Sequence, residues 1–417
     1  MGGPDRYSVG SFPIKWVRDR FPALWRSTGD LQAIFLDGPG GTQVPDSVIQ
    51  AVGNYYRNAN SNLGGSFATS RATGEIVDAA RNALAEFLNA PHADEILFGQ
   101  NMTSLTFALS RVLAKSWAPG SEIIVTSLDH DANISPWRLA AADRNITVKS
   151  WDFRTKTCSL CIEDLQGLVT ERTALIAVTL ASNAVGTLID VRPVVELAKE
   201  VGAKVFVDAV HFAPHCKIDV QSLGCDFLAC SAYKFFGPHI GILWAHRDWL
   251  AETETYKVRP ASNQPPGKWE TGTQSFESIA GTLAALEYLT NLAEQSTGTA
   301  SLRNAMGAIR SYEIALSKRF LSGLAKNSRV TLYGIADPVD AEKRTPTFAI
   351  RLDGIDPETA ARKLGDQGIY VWNGDFYASA LIERLGLTDR GGLIRIGFVH
   401  YNSEAEVDRT LAALETL

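Results

Sequence analysis

Two apolar runs in this chain end in groups that can do chemistry together. Val205-Phe-Val-Asp-Ala-Val-His211 finishes its β-branched stretch at Asp208, and Phe227-Leu-Ala-Cys-Ser-Ala-Tyr-Lys-Phe-Phe-Gly-Pro238 leads through Ser231 and Tyr233 to Lys234 before a Gly-Pro turn. Both patterns put polar groups at strand ends, the edge of an open α/β sheet where ligands bind. A lysine amine can condense with an aldehyde, and a carboxylate can keep a neighbouring ring nitrogen protonated. Those are the two needs of a pyridoxal cofactor, whose charged ring then draws electrons. A carboxylate beside that nitrogen shifts its pKa by about 1–3 units, or roughly 1.4–4 kcal/mol. Each residue alone has a plainer reading, Asp208 as a helix N-cap and Lys234 as a solvated surface lysine. Together, at two strand ends, they favour the cofactor.

The surrounding elements must bring those ends to one edge. Short apolar runs at 95–98, 122–126, 174–179, 204–207 and 227–229 alternate with stretches of three- and four-residue apolar spacing at 76–88, 104–113, 134–143 and 194–201. Strands alternating with helices predict an α/β fold, a mostly parallel sheet covered on both faces. Right-handed crossovers align the strand C-termini. A loop-like stretch at 254–272 is followed by helical patterns at 279–293 and 302–324. Beyond these the pattern is strand 345–352, helix 357–366, strands 369–372 and 393–397, and helix 403–414. This predicts a smaller α+β domain at the C-terminus. The expected division is an N-terminal segment (1–30) packing near the small domain, a large cofactor-binding domain (31–275), and linking helices with the small domain (276–417).

A length of 417 residues suits two such domains. The net charge of −6 is intermixed along the chain, with no basic stripe or arm, so a nucleic-acid partner is not expected. No apolar run nears the ~20 residues that span a bilayer, and residues 1–20 lack a signal-peptide pattern. No membrane partner is expected. The five cysteines (Cys158, Cys161, Cys216, Cys225, Cys230) form an odd, sparse set that suits the cytoplasm better than a disulfide framework. Cys158-Ser-Leu-Cys161 has no second half, and His211 and His215 lack an intervening Glu and a third ligand. No metal is therefore expected.

From Phe35-Leu-Asp-Gly-Pro-Gly-Gly-Thr42 to Arg395-Ile-Gly-Phe-Val-His-Tyr-Asn402, the chain resembles the class V aminotransferases among fold-type I pyridoxal-phosphate enzymes. The likeness is strongest to their cysteine desulfurase and selenocysteine lyase branch. It implies a pyridoxal 5'-phosphate cofactor held by Lys234 as a Schiff base, with Asp208 at the pyridine nitrogen. Phe98-Gly-Gln-Asn-Met-Thr-Ser-Leu105 resembles the family's phosphate cup, where a helix N-terminus favours an anion and Thr103 and Ser104 add donors. An ordinary capping turn would read the same. Ser231 and Tyr233 match positions that also reach the phosphate, although many relatives carry His in place of Tyr233. His130, in Leu128-Asp-His-Asp-Ala-Asn-Ile134, matches the histidine stacked on the ring; the alternative is a polar loop histidine. Asn183 matches an asparagine near cofactor and substrate, a residue also common in turns. His211 falls where many desulfurases use Gln to bond the cofactor's phenolic oxygen.

By the same resemblance, Thr273 of Glu270-Thr-Gly-Thr273 reaches a neighbouring subunit's phosphate. Asn62, within Tyr55-Tyr-Arg-Asn-Ala-Asn-Ser-Asn-Leu-Gly-Gly65, approaches the partner's substrate. A composite site implies a homodimer. Arg395 matches the arginine that binds the α-carboxylate of an amino-acid substrate, where paired guanidinium donors suit a carboxylate. A surface arginine opening a strand is the plainer reading.

The pattern breaks at one place. Desulfurases take sulfur on a cysteine of a mobile loop, and alignment through Gly368-Ile-Tyr-Val-Trp-Asn-Gly-Asp-Phe-Tyr-Ala378 puts Tyr377 at that position. Trp372 stands where many relatives have arginine. A persulfide relay needs a reachable thiolate. The expectation is thus a lyase or transferase acting at Cβ of cysteine, a cysteine conjugate or another β-substituted amino acid. It would work through an external aldimine, without a loop-cysteine persulfide. Open alternatives are a secondary-metabolism enzyme forming a C–C bond or ring through a Cβ nucleophile, an epimerase or aminotransferase, and a catalytically silent cofactor-binding regulator.

Overall fold

The computed structural model describes residues 12–29 and 31–417. A seven-stranded sheet contains β1 (Ile96–Gly99), β2 (Glu122–Thr126), β3 (Thr147–Trp151), β4 (Thr173–Thr179), β5 (Lys204–Asp208), β6 (Phe227–Ser231) and β7 (Gly241–Ala245). Their order is β1-β7-β6-β5-β4-β2-β3. β7 runs antiparallel to both neighbours; every other adjacent pair is parallel. The fold is α/β, as expected, with one reversed strand. β2, β6 and β7 are buried along their whole length. Strands covered on both faces need uninterrupted apolar sequence, which is why these runs do not alternate.

The helices of eight residues or more are α1 (Asp46–Asn58), α2 (Ala68–Leu88), α3 (Met102–Leu113), α4 (Ser135–Ala142), α5 (Arg192–Glu200), α6 (Phe276–Thr297), α7 (Leu302–Leu324), α8 (Pro357–Asp366) and α9 (Glu404–Thr416). α2 starts earlier than its apolar periodicity shows. Its first turns point Ser70 and Thr73 inward, and the Thr73 hydroxyl donates to the Ala59 carbonyl at 2.7 Å. A polar inward face leaves no hydrophobic signal.

A second sheet joins β8 (Val330–Tyr333), β9 (Thr347–Leu352), β10 (Trp372–Gly374) and β11 (Leu393–Gly397) in the order β8-β9-β11-β10, antiparallel throughout. Phe320 of α7 packs on Phe348 and Phe398 in a core of its own. The strand expected at 369–372 is two pieces. Ile369–Tyr370 pairs in parallel with Ile34–Phe35, and Trp372 opens β10. That pairing brings Ile34 and Leu36 into the small core. α9 opens with a reciprocal capping box between Ser403 and Glu406, which satisfies two otherwise orphaned amides.

Part of the expected N-terminal segment, residues 1–11 and 30, lies outside the described residues. Of the rest, Phe12 stacks on Tyr312 of α7 at 4.2 Å, Arg18 pairs with Glu406 of α9 at 2.8 Å, and Phe21 meets Phe236 edge-on. The segment therefore touches both cores. Because β1, β2, β4, β5 and β6 point the same way, their C-terminal ends share one sheet edge, and the chemistry-bearing loops gather there.

Candidate active site

At that edge lies a cavity of about 1090 Å³. Its wall includes Thr103, Ser104, His130, Asn183, Asp208, His211, Ser231, Tyr233 and Lys234, so residues read from five separate segments meet in one place. Arg395 is just behind the wall, its Nη1 donating to the Asn183 carbonyl at 3.0 Å. Asn62 and Thr273 are not on the wall of this chain. Both are exposed; Asn62 Oδ1 accepts from its neighbour Leu63 at 2.8 Å.

Lys234 sits in a 3-10 turn (Ala232–Lys234) directly after β6. Its amine donates to the Pro39 carbonyl and is nearly enclosed, 9% exposed. Burial lowers its pKa to about 7, helped by the nearby Arg395 charge and opposed by Asp208. An amine in that range is about half free of its proton at neutrality and can act as a nucleophile.

Asp208 ends β5. One carboxylate oxygen accepts from the Val210 amide at 2.8 Å, and among the described residues the other has no protein partner. Burial raises its pKa to about 6, offset by the Val210 bond and by Lys234. A carboxylate this desolvated gains from a cationic partner, since an opposite charge restores the charged form.

His130 follows β2. Its Nδ1 accepts from the Ala132 amide at 3.0 Å, which leaves the proton of a neutral ring on Nε2. Burial, then the charges of Lys234 and Arg395, hold its pKa down to about 4. The adjacent Asp129 is fully buried. It bonds Thr126 on one oxygen and accepts from Asn133 Nδ2 at 2.6 Å and the Thr179 amide at 3.3 Å. Burial and the neighbouring Asp208 raise its pKa, to about 7. These bonds fix the loop that presents His130.

α3 points its N-terminus at the cavity. Asn101 caps it, accepting from the Ser104 amide (2.9 Å) and the Ser104 hydroxyl (2.7 Å). The Ser104 side chain is thus committed to the cap. The Met102 amide donates to Ser231 Oγ at 3.0 Å, so that hydroxyl keeps its own proton to offer. Among the described residues, neither the amide nor the hydroxyl of exposed Thr103 has a protein partner. Tyr233 stacks on His239 at 5.0 Å, and its ring lies 5.1 Å from the Lys234 amine.

His211 Nε2 lies 2.9 Å from Thr347 Oγ1 and 3.2 Å from Thr345 Oγ1, joining the small sheet to the cavity. Burial, then His215, keeps its pKa well below the ordinary value. His215 pairs instead with Glu313 at 2.9 Å, both fully buried. Among the described residues no cluster of His, Cys, Asp or Glu is placed to hold a metal. Arg395 lies over the Phe376 ring at 4.5 Å, with Asp37 as the carboxylate that offsets its burial. Among the described residues its buried Nε, the Oδ1 of Asn183 and the Oδ1 of Asp37 have no partner.

The segment at Phe376 and Tyr377 was not expected to be ordered as it is. Both residues have positive φ, 58° and 56°, a strain of roughly 1–2 kcal/mol each. The Phe376 carbonyl accepts from Asn183 Nδ2 (2.9 Å) and the Tyr377 carbonyl from the Asp131 amide (2.7 Å). The Tyr377 ring stacks on His130 at 5.5 Å and 18°. Asn101, Asp129, Asp37 and this stack are the site features that sequence reasoning missed. Only Asn101, three residues before Ser104 and just ahead of an apolar run, carried a readable signal.

A family model described as Aminotransferase class-V matches residues 34–410. Aminotransferase-like protein FGM3 of Gibberella zeae is 33% identical, covering 98% of this chain and 99% of the relative. A cysteine desulfurase of Pectobacterium carotovorum is 30% identical, covering 98% of each. The apo structure of a cysteine desulfurase from Thermococcus onnurineus superimposes with a TM-score of 0.85 at 25% identity, covering 97% of this chain and 98% of the other.

Proposed function

Since the chain belongs to the class-V aminotransferase family and is a cysteine desulfurase-like, pyridoxal-phosphate-dependent enzyme of fold type I, we propose that it acts at Cβ of an amino acid without a protein persulfide. The substrate in this reading is cysteine, a cysteine conjugate or another β-substituted amino acid. The observation that carries it is the loop position held by Tyr377, tied down at its carbonyl and stacked on His130. The cysteines support the same reading. None lines the cavity, and burial pushes Cys158 and Cys216 up to about 11, Cys225 to about 12 and Cys230 higher still. Cys161 is partly exposed and bonds Glu163. A buried thiol with a raised pKa is a poor sulfur acceptor.

The cavity suits the cofactor. A buried amine with a lowered pKa, a desolvated carboxylate lacking a second partner, and unpartnered donors at the start of α3 are complementary to an aldehyde, a pyridinium and a phosphate. In this reading Lys234 holds the cofactor, Asp208 faces its ring nitrogen, and His130 covers the ring. Thr103, Ser231 and Tyr233 serve the phosphate. Asn183 and His211 flank the ring, and Ser104 acts through the cap. The bound cofactor supplies an electron sink for the substrate's Cα–H bond. Arg395, anchored by its Nη1 on the Asn183 carbonyl, orients the substrate carboxylate. Lys234 takes the Cα proton as general base and returns a proton as acid.

The homodimer belongs to this proposal. Thr273 and Asn62 lie on exposed loops, and Ile49, Tyr56, Leu63 and Phe67, in the segments around Asn62, are exposed side chains that a second copy would cover. Five free thiols suit the cytoplasm. Among the described residues no helix is long and apolar enough to cross a membrane. Transamination is the second reading, favoured by the 33% identity to an aminotransferase-like protein. The test is a variant with all five cysteines replaced by serine or alanine, incubated with β-substituted amino acids. Release of the β-substituent with ammonia and a 2-oxo acid, at wild-type stoichiometry, is expected. Loss of sulfide release on replacing one particular cysteine would overturn the proposal.

A further inference from the structure

Two large exposed aromatic side chains, Tyr377 on the cavity wall and Trp372 outside it beside the Gly40 loop, have no role in the chemistry above. Trp372 is 54% exposed and Tyr377 is 72% exposed. In β10 and β11, Trp372 and Arg395 are Cα partners in antiparallel register. Directly opposed residues on paired strands project from the same face. The two side chains therefore leave the same face of the small sheet.

The indole also rests against the loop that touches the reactive lysine. A Cβ added at Gly40 would lie 2.7 Å from Trp372 Nε1 and 3.2 Å from its Cδ1, so the ring sits directly on the glycine and a larger residue would displace it. The next residue back, Pro39, receives the Lys234 amine on its carbonyl, and Gly41 lies against the Tyr233 ring. Tyr377 lines the cavity and stacks on His130. Its backbone is held in the left-handed region by the bonds from Asn183 and Asp131, so the phenol is a fixed wall.

We propose that Trp372, seated over Gly40, and Tyr377 form a subsite for the substrate side chain, and that the preferred amino acid carries an aryl or other flat apolar group at Cβ. This rests on the reading that Arg395 holds the substrate carboxylate. With that end fixed on the sheet face that Trp372 shares, the side chain of a bound amino acid extends between two exposed aromatic faces. Such faces gain from an offset or edge-on ring and gain little from a bare thiol. The missing charge at position 372 removes the competing preference for an anionic group.

L-phenylalanine and L-alanine test this directly, because neither has a leaving group at Cβ. Each is titrated into the holoenzyme by calorimetry. L-phenylalanine is expected to bind roughly tenfold more tightly, the order one aromatic contact with its buried area supplies. Trp372→Ala and Tyr377→Ala should each shrink that ratio several-fold. Equal binding by the wild type, or a ratio unchanged in both variants, overturns the subsite alone. Binding of neither amino acid overturns both the subsite and the carboxylate role of Arg395. The outcome of the β-release assay is independent of either result.

Discussion

The Lys234 amine should capture its cofactor with a pH dependence that no surface lysine shows. Burial first, and the Arg395 charge second, bring its pKa from an ordinary 10.5 to about 7. At pH 8 the proton-free fraction is then roughly 0.9, against ~0.003 for an unperturbed lysine, a gain of ~300-fold in reactive amine. The perturbation is twofold: pH is varied, and the two neighbouring charges are removed one at a time. Arg395→Gln deletes a charge that lowers the pKa, so the midpoint should move up; Asp208→Asn deletes one that raises it, so the midpoint should move down. The assay mixes apoenzyme with pyridoxal phosphate in a stopped-flow spectrometer and follows the band of lysine-linked cofactor. Rates are divided at each pH by those of N-acetyl-lysine methylamide expressed per free amine, which removes the cofactor's own titration and leaves that of Lys234. A midpoint near 10, or shifts of the same sign in both variants, would refute the reasoning. The linkage has a stability side too. A folded-state pKa below the unfolded value gives a contribution that is present above the unfolded pKa and lost as pH falls through about 7, so the apoenzyme should weaken in that window.

Two other perturbations follow from the same geometry. Asp208→Asn should keep cofactor but slow turnover by ~10- to 1,000-fold, the value of a 1–3 unit shift at the ring nitrogen; steady-state kinetics at cofactor saturation check it, and turnover within threefold of wild type counts against the pyridinium role. Glu270→Ala should destabilise the protein by about 3–5 kcal/mol, because Glu270 accepts two bonds from buried Arg81 (2.7 and 2.8 Å) and one from the Phe98 amide (2.7 Å); thermal melts of the apoenzyme should fall by several degrees, and an unchanged Tm would contradict the burial of that pair.

Much of the sheet was legible because its strands are short apolar runs bounded by turns. β2 and β11, and helices α7 and α8, fall where the pattern puts them. β7 escaped notice. It opens on Gly241, which sits so close to Asn101 that a side chain would strike the backbone there, and glycine reads as a break. The split of 369–374 escaped too, since pairing with Ile34–Phe35 is a long-range choice that no local period encodes.

In the site, Lys234 and Asp208 were readable because strand ends can be located from sequence. The geometry around His130 was not. Asp129 is held by Thr126, Asn133 and Thr179, and the last of these arrives from a different strand. The Ser104 hydroxyl looked available until Asn101 took it. Asn183, read as a cofactor neighbour, spends its amide on the Phe376 carbonyl. Such contacts depend on which side chains the fold brings together, and spacing along the chain does not reveal them.

The most direct test of the account is to reduce the holoenzyme with borohydride and map the cofactor-modified peptide by mass spectrometry. Stoichiometric modification at Lys234, lost in Lys234→Ala, is predicted. Modification at another lysine, or none at all in a protein saturated with pyridoxal phosphate, would contradict it.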